Sequence, residues 1–477
     1  MNYETVIGLE VHSELATASK AFCSCENKFG GEPNTHCCPV CSGMPGVLPV
    51  LNKKVVEFCI KAGLATNCSI TRYGKQDRKN YFYPDLPKAY QISQYDLPIC
   101  HSGYIDIKMD GYTRRVRITR IHIEEDAGKL VHSEFGSSTL VDYNRCGVPL
   151  IEIVTEPDIR SSAEAYVFLE TLRNILMYIE VSDCKMQEGS LRCDVNLSVR
   201  PEGSAEYGTR CEMKNVNSFS AAVRAMDYER VRQIELLSSG EEVSQETRRW
   251  DDEKGMSALM RTKEDAQDYR YFPDPDLCAI VIDDEWVESI RSTLPELPEQ
   301  KKERYMGELS LSEYDAEFIC AKKALAALFD DARAAGASAK AAANWIMSDI
   351  SKILNDSETE PEDSPFGGKE LAELISLIDK GTISGSIAKK VLKKMFDNPQ
   401  KSPAQIVEES GMVQISDEGA IREIVLKVLN DNPKSVEDYK NGKKAAMGFL
   451  VGQTMRALRG QGNPQLINKL LSEELDK

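Results

Sequence analysis

Five of the fourteen cysteines fall within nineteen residues, as Cys23 and Cys25 followed by Cys37, Cys38 and Cys41. The pairs Cys23-x-Cys25 and Cys38-x-x-Cys41 can bring four thiolates to one point, and zinc favours tetrahedral sulfur ligation. Between them runs Glu32-Pro33-Asn34-Thr35-His36, and after them Ser42-Gly43-Met44-Pro45-Gly46. Both stretches are made of turn formers, so the cysteines belong to a loop. The bland readings are a disulfide or free buried thiols. No apolar leader follows Met1, and no run is long enough to span a bilayer, so the chain reads as cytoplasmic, where disulfides are rare. The expectation is therefore a structural Zn2+ on Cys23, Cys25, Cys38 and Cys41, with Cys37 or His36 able to replace one of them. The remaining cysteines sit mostly among apolar neighbours and read as small core residues.

A chain of 477 residues makes two to four domains at about 150 residues each. Residues 1–293 are rich in short apolar–polar alternations broken by Gly, Pro and Asn. They read as an antiparallel-sheet cradle domain with flanking helices. From about residue 310 the pattern turns helical. Helices are predicted over Ala321–Gly336, Ala337–Leu354, Lys369–Asp379, Ser384–Phe396, Ala404–Glu409, Glu418–Leu429, Lys443–Leu458 and Pro464–Glu474. The acidic stretch 355–365 reads as an exposed loop. Leu294-Pro295-Glu296-Leu297-Pro298 reads as a hinge, and Lys401-Ser402-Pro403 as a second division. The predicted fold class is thus α+β: a cradle over 1–293, a helical domain over 294–405 and a helical tail over 406–477.

The cradle carries a polar face. Ile7, Leu9 and Val11 share one side of a strand, and Gly8, Glu10 and His12 the other. Leu191, Cys193, Val195, Leu197 and Val199 alternate in the same way with Arg192, Asp194, Asn196 and Ser198. Arg210, Glu212 and Lys214 alternate with Cys211 and Met213. A sheet with one wet face gives this pattern without any function. Glu152, set in Leu150-Ile151-Glu152-Ile153-Val154, fits that reading poorly, because a carboxylate among aliphatics needs a partner or a metal. His122-Ile123-Glu124-Glu125-Asp126 adds three more carboxylates, and Mg2+ is a natural counter-ion for such a cluster. The stretch from Lys75 to Lys88 combines Lys and Arg with aromatics, a composition suited equally to an anion pocket or a solvated turn. No P-loop is present, so any ATP binds without one.

Several long motifs then converge. They are Val6-Ile7-Gly8-Leu9-Glu10-Val11-His12, the Cys38-Pro39-Val40-Cys41 run ending at Gly46, Asp77 through Ser93, His122 through Lys129, Asp142 through Glu152, Met186 through Asn196, Phe449 through Met455, and Gly462 through Leu471. Over essentially its whole length the chain resembles the B subunits of the aspartyl/glutamyl-tRNA amidotransferases. The resemblance implies work in a heterotrimer, with an amidase (glutaminase) partner, the A subunit, and a small C subunit. It implies ATP-dependent phosphorylation of the side-chain carboxylate of mischarged Glu-tRNA(Gln) or Asp-tRNA(Asn), then amidation by ammonia from the amidase. It carries Mg2+ ligation and catalysis onto Glu10, His12, Glu125 and Glu152, with Asp194 and Glu212 nearby, and a phosphate contact onto Lys79. Glu124 points the other way from Glu125 in a regular strand and is left out. Cys37 is an extra thiol beside Cys38, and some family members have lost the cysteines altogether.

The formal charge is −17, from 59 basic and 76 acidic residues, so bulk charge does not advertise RNA binding. Residues 441–477 are locally basic, and Lys443, Lys444, Arg456 and Arg459 form the candidate tRNA contact that the resemblance implies. The rival from another class is a non-catalytic, zinc-stabilised scaffold that only presents tRNA.

Overall fold

The computed structural model describes residues 2–132, 138–262, 268–412, 417–441, 443, 445–458 and 461–476. The first strand of the chain, Tyr3–Glu14, lies in the middle of a nine-stranded sheet. On one side it is followed by Pro149–Thr155, Tyr112–Glu125, Cys100–Met109 and Ser69–Ile70. On the other come Leu191–Pro201, Cys211–Val216, Glu246–Asp251 and Met256–Thr262. The expected antiparallel arrangement holds with one exception. Cys211–Val216 and Glu246–Asp251 run parallel, joined through the helix Phe219–Ser239.

One face of this sheet is dry. Ile7, Leu9 and Val11 are fully buried there with Ile121, Ile123, Ile151, Ile153, Val195 and Leu197. Three helices cover that face: Lys53–Ala65, Ser162–Tyr178 and Phe219–Ser239. Ser161 and Ser218 cap the second and third, accepting from the N–H groups of Glu164 and Ala221. Ala221, Ala222 and Ala225 let the third helix lie close to the strands. Gly63 does the same for the first, since a Cβ there would meet the Cys100 Sγ at 2.3 Å.

The chain divides into two compact units, residues 1–297 and 298–477. Among the described residues the second unit is helical, as its composition implied. The helical pattern also begins earlier than expected, with Asp284–Arg291 and Pro298–Gly307, and Glu313–Cys320 adds a helix where the sequence pattern turns helical. Pro298, read as part of a hinge, is the first residue of a helix, a position where its missing N–H costs nothing. The predicted helix over Ala337–Leu354 contains a π-helical turn at Ile346–Ile350. Asn432 precedes an unanticipated helix, Pro433–Lys440. The last four helices gather around Ile421, Val425, Leu450, Ile467, Leu470 and Leu471. No helix among the described residues is long and apolar enough to cross a membrane.

Phe168 is 0% exposed on the helix that closes the dry face. Phe168→Ala is expected to cost about 3–5 kcal/mol, read as a lower midpoint of denaturant unfolding.

Candidate active site

The cysteine loop closes as expected. The Sγ atoms of Cys23, Cys25, Cys38 and Cys41 lie within 4.8 Å of one another. A zinc tetrahedron with Zn–S bonds of about 2.3 Å has edges near 3.8 Å, and the Cys38 and Cys41 sulfurs are 3.9 Å apart. The four thiols therefore fit zinc. Cys37 stands apart, with its Sγ directed to the Asn34 carbonyl, and the peptide of His36 is held by Lys20 and Asn144. The cation of Lys20 is a feature that composition concealed. The side chain is fully buried, donates to the His36 carbonyl at 2.7 Å and lies 3.7 Å from the Cys41 sulfur. A buried ammonium beside a thiolate offsets the negative charge of a four-sulfur site. Cys41 is the thiol held well below its usual range, first by the bond from Cys23 and also by Lys20.

The wet face of the sheet forms the floor of a second cavity, about 310 Å³ in volume. Its organisation follows from the register. His12 lies opposite Glu152, and Glu152 opposite His122. On the other flank Glu10 lies opposite Asp194, and Asn196 opposite Glu212. Two groups result, His12 with Glu124 and Glu152, and Glu10 with Asp194 and Glu212. Within each group the candidate ligand atoms are less than 4.8 Å apart. The oxygen-rich groups suit Mg2+, with one imidazole in the first. A larger cavity of about 620 Å³ lies around Tyr3, Glu4 and Arg160. Glu4 is already held by Arg160 and Arg200, and among the described residues this cavity's carboxylates Glu4, Glu202 and Asp227 form no comparable ligand group.

One expected ligand changes. Glu125 shares strand parity with Ile121 and Ile123 and points away from this group. Its Oε1 meets the Lys88 ammonium at 2.5 Å and accepts from the Ile92 N–H at 2.9 Å. Glu124 faces the group instead, because it stands two residues from His122 on the same side of the strand. The Nε2 of His12 is 3.8 Å from Glu124 and 3.4 Å from Glu152. His122 is 3.3 Å from Glu124 and 3.4 Å from Glu152. Burial alone would lower the pKa of both imidazoles. Glu152 and Glu124 outweigh it, so His12 is raised and His122 reaches about 9. Burial likewise pushes Glu124 upward, but Lys79 and His122 hold it low. At the other group, burial and then Glu152 and Glu212 raise Glu10, which leaves negative charge there for a cation to stabilise.

The same cavity is lined by five cations, Lys79, Arg120, Arg210, Lys214 and Arg261, facing the five carboxylates. Lys79 sits 3.7 Å from Glu124. Lys214 bridges Asp194 at 2.5 Å and Glu212 at 3.1 Å. The buried Nε of Arg120 has no hydrogen-bond partner among the described residues. The cavity can thus hold a divalent cation and anionic oxygens side by side. Arg120 and Arg261 were not picked out from sequence, because single arginines in strands carry no local signal. In the helical unit, Lys443 pairs with Asp438 at 2.8 Å and Arg456 is exposed. Lys444 and Arg459 lie outside the described residues.

Residues 5–288 match the family described as the GatB/GatE catalytic domain, and residues 327–475 match the GatB domain. The chain is 64% identical over 480 residues to the B subunit of the aspartyl/glutamyl-tRNA(Asn/Gln) amidotransferase of Caldicellulosiruptor bescii. Identity is 59% over 477 residues to the protein of that name from Thermoanaerobacter pseudethanolicus and 55% over 478 to one from Clostridium botulinum. Each alignment covers 100% of both chains. The chain belongs to the family of amidotransferase B subunits. Membership makes it one component of a tRNA-dependent amidotransferase, and each matched region falls within one unit of the fold.

Two outcomes follow for this B-subunit family member. Lys20→Met is expected to weaken zinc retention about 10- to 100-fold, measured as transfer of zinc to a colorimetric chelator, with total zinc near zero in Cys38→Ser. Mn2+, as a spectroscopic substitute for Mg2+, is expected to bind the wild-type chain and to bind Glu124→Gln more weakly. Because His12 must be neutral to ligate and its pKa is raised, Mn2+ binding should tighten as pH rises.

Proposed function

We propose that this chain activates the side-chain carboxylate of Glu-tRNA(Gln), Asp-tRNA(Asn) or both by phosphorylation with ATP, and hosts the attack of ammonia on the product. The observation that carries the reading is the pairing of two ligand groups with five cations around one cavity. A carboxylate is a poor acceptor for ammonia because oxide is a prohibitive leaving group. Phosphorylation replaces it with phosphate. The substrate carboxylate oxygen attacks the γ-phosphorus, the bond to the β-phosphate oxygen breaks, and ADP departs. Ammonia then adds to the acyl carbon, and phosphate leaves with the bonding pair and a proton. Such transfer depends on position and charge stabilisation more than on covalent help.

Each residue has a place in that chemistry. His12, Glu124 and Glu152 on one side, and Glu10, Asp194 and Glu212 on the other, are suited to hold Mg2+. When bound, Mg2+ supplies charge neutralisation at the phosphate oxygens and fixes their direction. Lys79, Arg120 and Lys214 bind the anionic oxygens that the carboxylates would otherwise repel. Zn2+ on the four cysteines keeps the loop folded and takes no part in the reaction. Nothing in the sequence resembles an amidase signature, so ammonia comes from a separate glutaminase, the A subunit, with a small C subunit completing the complex. The exposed basic residues of the tail, Arg456 among them, are proposed to contact tRNA phosphates.

The test is a reconstituted complex given mischarged Glu-tRNA(Gln) or Asp-tRNA(Asn), ATP, Mg2+ and ammonium chloride. Amidated tRNA and ADP are expected together, and His12→Ala should lower the rate about a hundredfold or more. A wild-type rate in that variant overturns the site and returns the scaffold reading. The isolated chain given glutamine in place of ammonium chloride is expected to form no amide.

A further inference from the structure

One wall of the active-site cavity is aromatic, and the chemistry above leaves it unused. Tyr95, Tyr269 and Tyr271 line it. The rings of Tyr95 and Tyr271 are stacked, with centroids 4.5 Å apart and planes inclined by 16°. Tyr269 meets Tyr271 edge-on at 6.1 Å, and Tyr81 meets Tyr269 edge-on at 5.9 Å. Tyr95 is nonetheless 59% exposed, so the outer face of the stack is open.

The backbone holds this wall in place. The Tyr95 N–H donates to Asp77 at 2.9 Å. The Asn80 N–H donates to the Tyr269 carbonyl at 2.9 Å, and its side-chain amide donates to the Arg270 carbonyl at 2.8 Å. Phe272 and Pro273 then pair with Arg78 and Asp77 in a short sheet. Lys79 belongs to the strand that anchors the wall. Its ammonium lies 5.1 Å from the Tyr269 ring and 3.7 Å from Glu124. The wall is therefore tied directly to the His12, Glu124 and Glu152 group.

Charge divides the cavity. Lys214 and Arg261 stand with Glu212, at the Glu10 group, and suit a polyphosphate. The tyrosine end offers flat apolar rings and suits an uncharged base. Every aminoacyl-tRNA carries its amino acid on the ribose of a 3′-terminal adenosine. A base must then lie within one ribose and one amino-acid chain of the carboxylate being activated. Stacking on aromatic faces is how proteins hold single-stranded bases. We infer that the Tyr95–Tyr271 stack is the platform for the 3′-terminal adenine of the mischarged tRNA, and that it positions the carboxylate beside His12, Glu124 and Glu152. This rests on the proposed activation reaction.

The experiment uses the reconstituted complex, whichever mischarged tRNA the wild type turns over, and ammonium chloride as nitrogen donor. Tyr95→Ala and Tyr271→Ala are expected to raise KM for the tRNA about 5- to 100-fold. KM for ATP stays unchanged, and Tyr95→Phe stays near wild type. A rise in KM for ATP instead overturns the assignment and gives the wall to the adenine of ATP. No change in either constant makes the stack simple packing and overturns it too. A second measurement needs no variant. A tRNA ending in 2-aminopurine should lose fluorescence by stacking when it binds the wild-type complex, and unquenched binding overturns the platform. Loss of activity in His12→Ala, run alongside, tests the activation reaction separately. A failed platform with an intact His12 effect leaves that reaction standing.

Discussion

Everything at the candidate site depends on the two-residue period of one strand. Ile7, Leu9 and Val11 enter the dry face fully buried, which compels Glu10 and His12 onto the wet face. A slip of one residue would exchange them and carry two ionisable groups into a hydrocarbon core. The apolar core thus sets the register with which His12 meets Glu152 and Glu10 meets Asp194. Hydrophobic burial here decides which side chains face the cavity.

Electrostatics then decides what that floor can bind. Five carboxylates in about 310 Å³ would repel one another, and five Lys or Arg side chains offset them. The balance is uneven. Lys79 and two imidazoles attend Glu124 and Glu152, whereas among the described residues Glu10 accepts from one neutral donor, Asn196, at 2.9 Å. A surface with charges of both signs interleaved can take a cation and a phosphate together, which neither a purely acidic nor a purely basic pocket does well.

The sheet half was legible because its alternation is regular, and the cysteine quartet because its spacing is short. Pleat parity was read well in Glu10, His12, Asp194 and Glu212. It is present at His122-x-Glu124 as well, yet the resemblance carries the ligand onto Glu125, and adjacency alone does not say which of the two carboxylates faces the cavity. Only the pairing of His122 with Glu152 decides that. The buried role of Lys20 and the gathering of Tyr95 with Tyr271 depend on contacts between distant segments, which periodicity does not carry. Helix starts suffered from a different ambiguity. Pro298 and Pro433 break a helix from within but begin one readily, and composition does not separate the two cases.

The placement of the first strand has a consequence for how the chain is made. Tyr3–Glu14 leaves the ribosome before any other element described above, yet both of its neighbours come much later. The hydrogen bond between Glu10 and Asn196 joins residues 186 positions apart. Until Leu191–Pro201 has been synthesised, an apolar strand waits with at least one edge unpaired. Such an edge is a template for wrong pairing, and closing so long a loop is slow. The floor of the candidate site is therefore among the last parts of its unit to form, and the nascent chain is exposed to misassembly for most of the time its first unit takes to be made.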